Sequence, residues 1–118
     1  MTASCTREPI DKVRFLSNYS SGKMGFALAK IARARGAKVI LITGPTCLPI
    51  PKGISTVSIE TAEEMKKEVF KYFSESDIII SAAAVADFRP KELFAGKIKK
   101  EKNTNPFIEL EKTSDILL

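Results

Sequence analysis

Gly22-Lys-Met-Gly-Phe-Ala-Leu-Ala-Lys-Ile-Ala-Arg-Ala-Arg-Gly36 and, one residue later, Lys38-Val-Ile-Leu-Ile-Thr43 decide the fold class. In the first stretch Met24, Ala27, Leu28 and Ile31 recur at helical spacing with Phe26 beside them, which predicts an amphipathic helix. Arg33 and Arg35 suit the negative pole of its dipole, and Gly36 supplies a stop. In the second stretch Val39, Ile40, Leu41 and Ile42 follow one another without alternation. Such a strand is apolar on both faces, as in a parallel sheet with helices on each side.

Downstream, Gly44-Pro45 ends the strand, and Pro49, Pro51 and Gly53 mark a loop. Ser55 to Glu60, with Val57 and Ile59 alternating, reads as a half-buried strand. Thr61-Ala62-Glu63-Glu64 is a capping box opening a helix that carries Met65, Val69, Phe70 and Phe73. Asp77 to Val85 reads as a second strand buried on both faces. This alternation implies right-handed βαβ units in a doubly wound α/β sheet. Beyond Asp87 the apolar periodicity fades. Lys91 to Asn105 is expected to form a loop or flap, Phe107 to Leu110 a short strand, and a helix is expected to start near Ser114.

The 118 residues suit one domain or part of one. With 44% hydrophobic and 28% charged residues the chain has enough apolar surface to fold. The longest apolar run, Ile78 to Ala86 interrupted by Ser81, falls far short of the roughly 20 residues of a membrane span. Met1 to Pro9 contains Arg7 and Glu8 and no apolar signal core, so a cytoplasmic protein with no membrane partner is expected. Cys5 and Cys47 are far apart and histidine is absent, which argues against zinc and for free thiols. The net charge of +5 is concentrated in Lys97, Lys99, Lys100 and Lys102, a cluster that reads as a solvated face unless other residues give it a ligand. No aromatic interleaves with it, so nucleic acid is a poor fit as partner.

Ligands of open α/β sheets collect beyond the carboxyl ends of the strands, and three segments should meet there. Ser17-Asn18-Tyr19-Ser20-Ser21-Gly22-Lys23-Met24-Gly25 leads hydroxyls and glycines into a helix N-terminus. It reads equally as a phosphate site or as a serine cap with glycines for close packing. It contains neither a Walker P-loop nor a nicotinamide glycine fingerprint, so a nicotinamide oxidoreductase has little support. Ser81-Ala82-Ala83-Ala84-Val85-Ala86-Asp87-Phe88-Arg89-Pro90 offers small residues against which a flat ligand can lie. Asp87 could hold a ribose or a hydrated metal, or simply pair with Arg89. Lys97 on the flap could close over a triphosphate.

Taken in order, Thr6 to Asp11, Val13-Arg14-Phe15, Ser17 to Gly25, Ala82 to Pro90, Lys97 to Lys100 and Lys112 to Leu117 closely resemble the phosphopantothenate–cysteine ligase family. The resemblance covers nearly the whole chain and follows the bacterial pattern, in which the ligase domain accompanies a flavin-dependent decarboxylase, fused or separate. No flavin segment is present here. It implies a Rossmann-like three-layer fold with a mainly parallel sheet, incomplete in this chain: a nucleotide-binding core over about 1–90, and a flap with its following segment over about 91–118. It implies ligation of 4'-phosphopantothenate to cysteine with CTP and Mg2+ through an acyl-cytidylate, in coenzyme A biosynthesis, by a homodimer. Asn18 corresponds to the asparagine that handles the acyl intermediate, Arg14 to a basic residue supporting substrate or dimer, and Lys97 to the flap lysine over the nucleotide. Ser20, Ser21, Gly22, Ser81, Ala82, Ala83, Asp87, Ser114, Asp115, Ile116 and Leu117 correspond to nucleotide contacts. Metal ligands are not specified, Asp87 being the candidate.

Four departures accompany the resemblance. The family usually has an apolar strand before the turn at which Met1 stands here. Ser4 and Cys5 replace a glycine pair, and Ser114 stands where proline is common. The family domain is expected to continue for roughly another hundred residues beyond Leu118. The chain alone is therefore expected to be weakly active or inactive, and a non-catalytic nucleotide-binding or dimerisation fragment is the alternative.

Overall fold

The computed structural model describes residues 1–100 and 106–117; Lys102 and the end of the expected flap lie outside them. In chain order the elements are β1 (Thr2–Ala3), β2 (Arg7–Pro9), β3 (Phe15–Ser17), α1 (Lys23–Ala34), β4 (Ile40–Thr43), β5 (Ser55–Ser58), α2 (Ala62–Phe73), β6 (Phe88–Pro90) and β7 (Leu110–Lys112). β1, β4 and β5 form a parallel sheet in that order. Thr2 pairs with Ile42, and Ile42 with Val57.

The unbroken apolar run of β4 is explained by coverage on both faces. Leu41 and Val39 pack with Phe26, Ala29, Ala3 and Ile54 under α1, while Ile42 packs with Met65, Val69 and Ile59 under α2. Each helix thus receives alternate residues of the same strand. α1 ends as expected. Gly36 adopts φ +91, its N–H bonds Arg33 O, and the Ala37 N–H bonds Ala32 O, the two bonds of a Schellman stop. α2 opens on the expected capping box, with Thr61 accepting from the Glu64 N–H and Glu64 accepting from the Thr61 N–H. The buried carboxylate of Glu8, on β2, adds a third acceptor, taking the Ala62 N–H at 2.8 Å. It stands at the positive pole of the helix and fastens the β2–β3 hairpin to it.

Four expectations are corrected. The stripe chosen as the buried side of α1 points outward: Met24 is 72% and Ile31 53% exposed, while Gly25, Phe26 and Ala29 face the sheet. A Cβ on Gly25 would lie 2.5 Å from Ala3 Cβ, so only the small-residue side of the helix can come that close. On α2, Met65 and Val69 pack on Ile42, while Phe70 and Phe73 are exposed and stack on one another. Residues 77–85 run parallel to β1 through bridges at Thr2–Ser81 and Cys5–Ala84, yet Ile78 is 76% exposed. They form an edge, not an enclosed strand. Finally, the late strand is Leu110–Lys112, antiparallel to Phe88–Pro90, rather than Phe107 to Leu110; residues 113–117 contain no helix.

The tightest packing lies where β1 ends. A Cβ on Gly44 would fall 1.7 Å from Cys5 O, and one on Gly22 3.1 Å from Ser4 Cβ. Gly44→Ala is therefore expected to lower unfolding free energy by more than about 3 kcal/mol, above the usual range for an added methyl. Gly36→Ala, with open space around it but a positive φ, should cost about 1–2 kcal/mol. Urea midpoints of the two variants check the ranking, and the reverse order would make backbone sign, not close approach, the stricter constraint.

Candidate functional site at the sheet switch point

The chain leaves β1 through the β2–β3 hairpin and α1 to reach β4, moves outward to β5, then returns through α2 to the other side of β1. α1 and α2 lie on opposite faces. The strand order thus reverses between β1 and residues 77–85, and such a reversal opens a crevice beyond the carboxyl ends of the two strands.

Ser4, Cys5, Thr6 and residues 84–87 meet at that reversal. The Ala84 N–H bonds Ser4 O at 2.7 Å, and the Thr6 N–H bonds Ala84 O at 3.2 Å. Thr6 Oγ1, wholly buried, accepts the Ala86 N–H at 2.9 Å. Ser4 adopts φ +67, a left-handed conformation that suits glycine and costs a residue with a Cβ about 1–2 kcal/mol. Its hydroxyl donates to Pro45 O at 2.7 Å, which ties the turn to the segment after β4.

Over this crevice lies the serine-bearing segment. Ser17 Oγ donates to Thr6 O at 2.6 Å, and Asn18 Nδ2 donates to Val85 O at 3.1 Å. Because a carbonyl can only accept, the amide is oriented with Oδ1 turned away from the strand. Gly22 caps α1 with φ +79 and no side-chain bond to the helix. The first turn of α1 carries no acidic residue, and Ser21 Oγ receives only a long contact of 3.4 Å from the Lys23 N–H. The helix therefore keeps an N-terminus open to an anion. The expected serine cap is corrected, since Gly22 holds that position, while the glycines do serve close packing against Ser4 and Ala3.

Residues 113–117 reach the same place. Thr113 donates its N–H to Asp87 O and its hydroxyl to Ala86 O. Ile116 packs against the cluster that includes Ala83 and Val85. Ser114, Asp115 and Leu117 are exposed beside it, as are Ser81 and Asp87; Ala82 and Ala83 are half-buried. Asp87 does not pair with Arg89, whose guanidinium binds Glu111 at 2.7 Å instead.

The expectation that all three segments meet is corrected for the flap: Arg14 and Lys97 stand apart from this group. They line a separate groove with Ile10, Phe94, Lys100 and Phe107, to which Ser20, Ser21, Ala82 and Ala83 do not contribute. The β2–β3 hairpin links the two places. Arg14 and Asn18 are four residues apart on extended chain, about 14 Å at roughly 3.4 Å per residue. Sequence reasoning missed Asp11, which binds Arg14 and the N–H of Ile98, the residue after Lys97. Burial pushes its carboxyl up, but N–H groups of Ile98, Val13 and Arg14 and the Arg14 guanidinium outweigh that and hold it at about 2. The Asp-x-x-Arg spacing signals a local Asx turn, though not the long-range partner.

The model of the DNA/pantothenate metabolism flavoprotein C-terminal domain matches residues 1–118. The chain belongs to that family. Family members include the coenzyme A biosynthesis bifunctional proteins CoaBC of Borreliella burgdorferi, 51% identical over 117 residues, and of Bacillus subtilis, 48% identical over 118. These alignments take in 99% of this chain but 30% and 29% of the relatives, so the chain spans less than a third of their length. A crystal structure of the C-terminal domain of a CoaBC protein superposes with TM-score 0.83 at 46% identity, over 98% of this chain and 53% of that one. The DNA/pantothenate metabolism flavoprotein from Streptococcus pneumoniae, at 24% identity, shares the fold with TM-score 0.83. The family expected from the motifs and the Rossmann-like fold are thereby both borne out.

Two outcomes follow from this family member's geometry. Thr6→Val keeps the shape but strands the buried Ala86 N–H, so it should lower stability by about 1–3 kcal/mol, and Thr6→Ser should restore most of it in urea titrations. The Asp11 carboxyl is held at about 2, below its ordinary 3.8. Its contribution is complete above about pH 5 and is lost progressively as pH falls through about 2. An acid titration followed at the Ile98 amide by NMR should show that window.

Proposed function

We propose that this chain supplies nucleotide-holding and carboxylate-handling residues of a phosphopantothenate–cysteine ligase acting in coenzyme A biosynthesis. The observation that carries the proposal is the Asn18–Val85 hydrogen bond at the switch point, which joins the serine-bearing helix entry to the alanine-lined strand tip. The names of the bifunctional CoaBC relatives support the same pathway.

In this reading the triphosphate of CTP meets the open N-terminus of α1 at Ser20, Ser21 and Gly22. The nucleoside lies along Ser81, Ala82, Ala83 and the exposed edge of Ser114 to Leu117. The 4'-phosphopantothenate carboxylate attacks the α-phosphorus of CTP, forming the acyl-cytidylate and expelling pyrophosphate. The amine of cysteine then attacks the acyl carbon; an amide forms, the acyl–phosphate bond breaks, CMP leaves, and the amine gives up a proton. Asn18 orients the acyl group through Oδ1, a neutral acceptor that does not titrate. Lys97, with Arg14 beside it, balances charge accumulating on the departing phosphates.

Among the described residues no three acidic, histidine or cysteine side chains gather as a metal site. Mg2+ commonly takes only one or two carboxylates and otherwise phosphates and water, and exposed Asp87 meets that need. Bound there, Mg2+ would neutralise triphosphate charge. The outward apolar stripe of α1, Met24 and Ile31, supports a homodimer. The partner activity is assigned to a flavin-dependent decarboxylase, fused or separate, and the setting to the cytoplasm. No helix among the described residues is long and apolar enough to cross a membrane.

The test is pyrophosphate release from CTP with 4'-phosphopantothenate, measured before and after cysteine is added. In a protein containing the whole domain, both half-reactions should proceed; the 118-residue chain alone should be weakly active or silent. Asn18→Asp should slow the acyl step by roughly a hundredfold while CTP binding stays near the original. Equal loss of binding and chemistry would remove the role given to Asn18, and CTP binding without pyrophosphate release in the whole domain would leave a non-catalytic nucleotide-binding module.

A further inference from the structure

Asp11 has a side chain with no exposed surface and lies outside every substrate contact assigned above. Its Oδ1 accepts the N–H groups of Val13 at 2.8 Å and Arg14 at 2.7 Å. Its Oδ2 accepts Arg14 Nη1 at 2.6 Å and the N–H of Ile98 at 2.9 Å. The last partner is 87 residues away in sequence. Arg14 Nη1 also reaches Ile98 O at 3.3 Å, so the Asp11–Arg14 pair grips both polar groups of one flap residue. Four residues earlier the flap is fastened again, by the Phe94 N–H to Ile10 O at 3.1 Å. Lys97 lies between the two fastenings, exposed, on the groove that it shares with Arg14.

We propose that Asp11 is the positioning residue of the flap: by holding the Ile98 backbone against the turn at 10–14, it sets Lys97 beside Arg14. The choice of residue follows from donor counting. An ionised carboxylate has about four acceptor positions, and all four are taken here. An asparagine can keep the local turn with its oxygen, but its NH2 then faces the Ile98 N–H and the Arg14 guanidinium. Two donors aimed at a third group that cannot accept will part. Asp11→Asn therefore separates the local turn from the flap contact. The unusual acidity of Asp11 noted above agrees with this, since each of its donors favours the ionised form.

The catalytic consequence rests on Lys97 as the triphosphate contact proposed above; the fastening itself does not. Two variants address it from opposite sides. Asp11→Asn removes the acceptor, and Ile98→Pro removes the donor while leaving Asp11 intact. Trypsin cleavage after Lys99 reports release of the flap, with urea midpoints showing that the domain stays folded. Each variant should raise the cleavage rate at least tenfold, and the double variant should exceed neither single one, because both delete the same contact. In the complete ligase, Asp11→Asn and Lys97→Ala should shift kcat and KM for CTP in the same direction, and combining them should add little. Cleavage unchanged in both single variants overturns the proposal, as does full additivity of the two. Should Asp11→Asn fail to fold, Ile98→Pro alone decides whether that contact holds the flap. Faster cleavage with unaltered CTP kinetics leaves the fastening in place and removes the role given to Lys97.

Discussion

Close approach between the end of β1 and three glycines fixes where everything else can go. Ser4 and Cys5 press against Gly22 and Gly44, and Ala3 against Gly25. That contact seats the start of α1 directly over the carboxyl end of the central strand. The hairpin, the serine-bearing segment and the crevice all take their places from it. The left-handed Ser4 is the strained member of the arrangement. Its hydroxyl recovers a hydrogen bond to Pro45 O, so the side chain that makes the conformation unfavourable also helps to hold it.

Local chemistry made part of this readable from sequence. The β4 run announced burial on two faces because four apolar β-formers in succession leave no polar side, and Leu41 and Ile42 indeed serve different helices. Thr61, Glu64 and Gly36 act through bonds a few residues long, which local patterns encode. The buried side of α1 was not readable in the same way. Hydrophobic periodicity weighs side chains by apolarity, whereas here the distance to β1 is so short that Gly25 and Ala29 take inward positions beside Phe26. Residues 77–85 misled for a related reason: their composition matches an enclosed strand, but enclosure depends on neighbours and not on the strand itself.

The candidate site was legible to the same degree. Asn18 and the alanine-rich strand end were each marked by residue type, and the rule for α/β sheets brought them together before any contact was seen. Glu8 and Asp11 were not marked, because their partners, Ala62 and Ile98, lie 54 and 87 residues away. No period or spacing carries such a pairing. Both are buried carboxylates satisfied chiefly by backbone N–H groups. These two carboxylates thus serve mainly as acceptors for the main chain, whereas the exposed Lys91–Glu109 contact is a surface ion pair of the weak kind.

The margin formed by residues 77–85 bears on how the molecule behaves in solution. Apart from Val85 O, which accepts the Asn18 amide, its main chain among the described residues bonds only toward β1, and Ile78 is open to water. A straight border of unpaired peptide groups flanked by apolar side chains is a template for any extended segment that meets it. Left bare at high concentration, it invites self-association through main-chain zippering, a process indifferent to the chemistry of the crevice a few residues further along the same stretch.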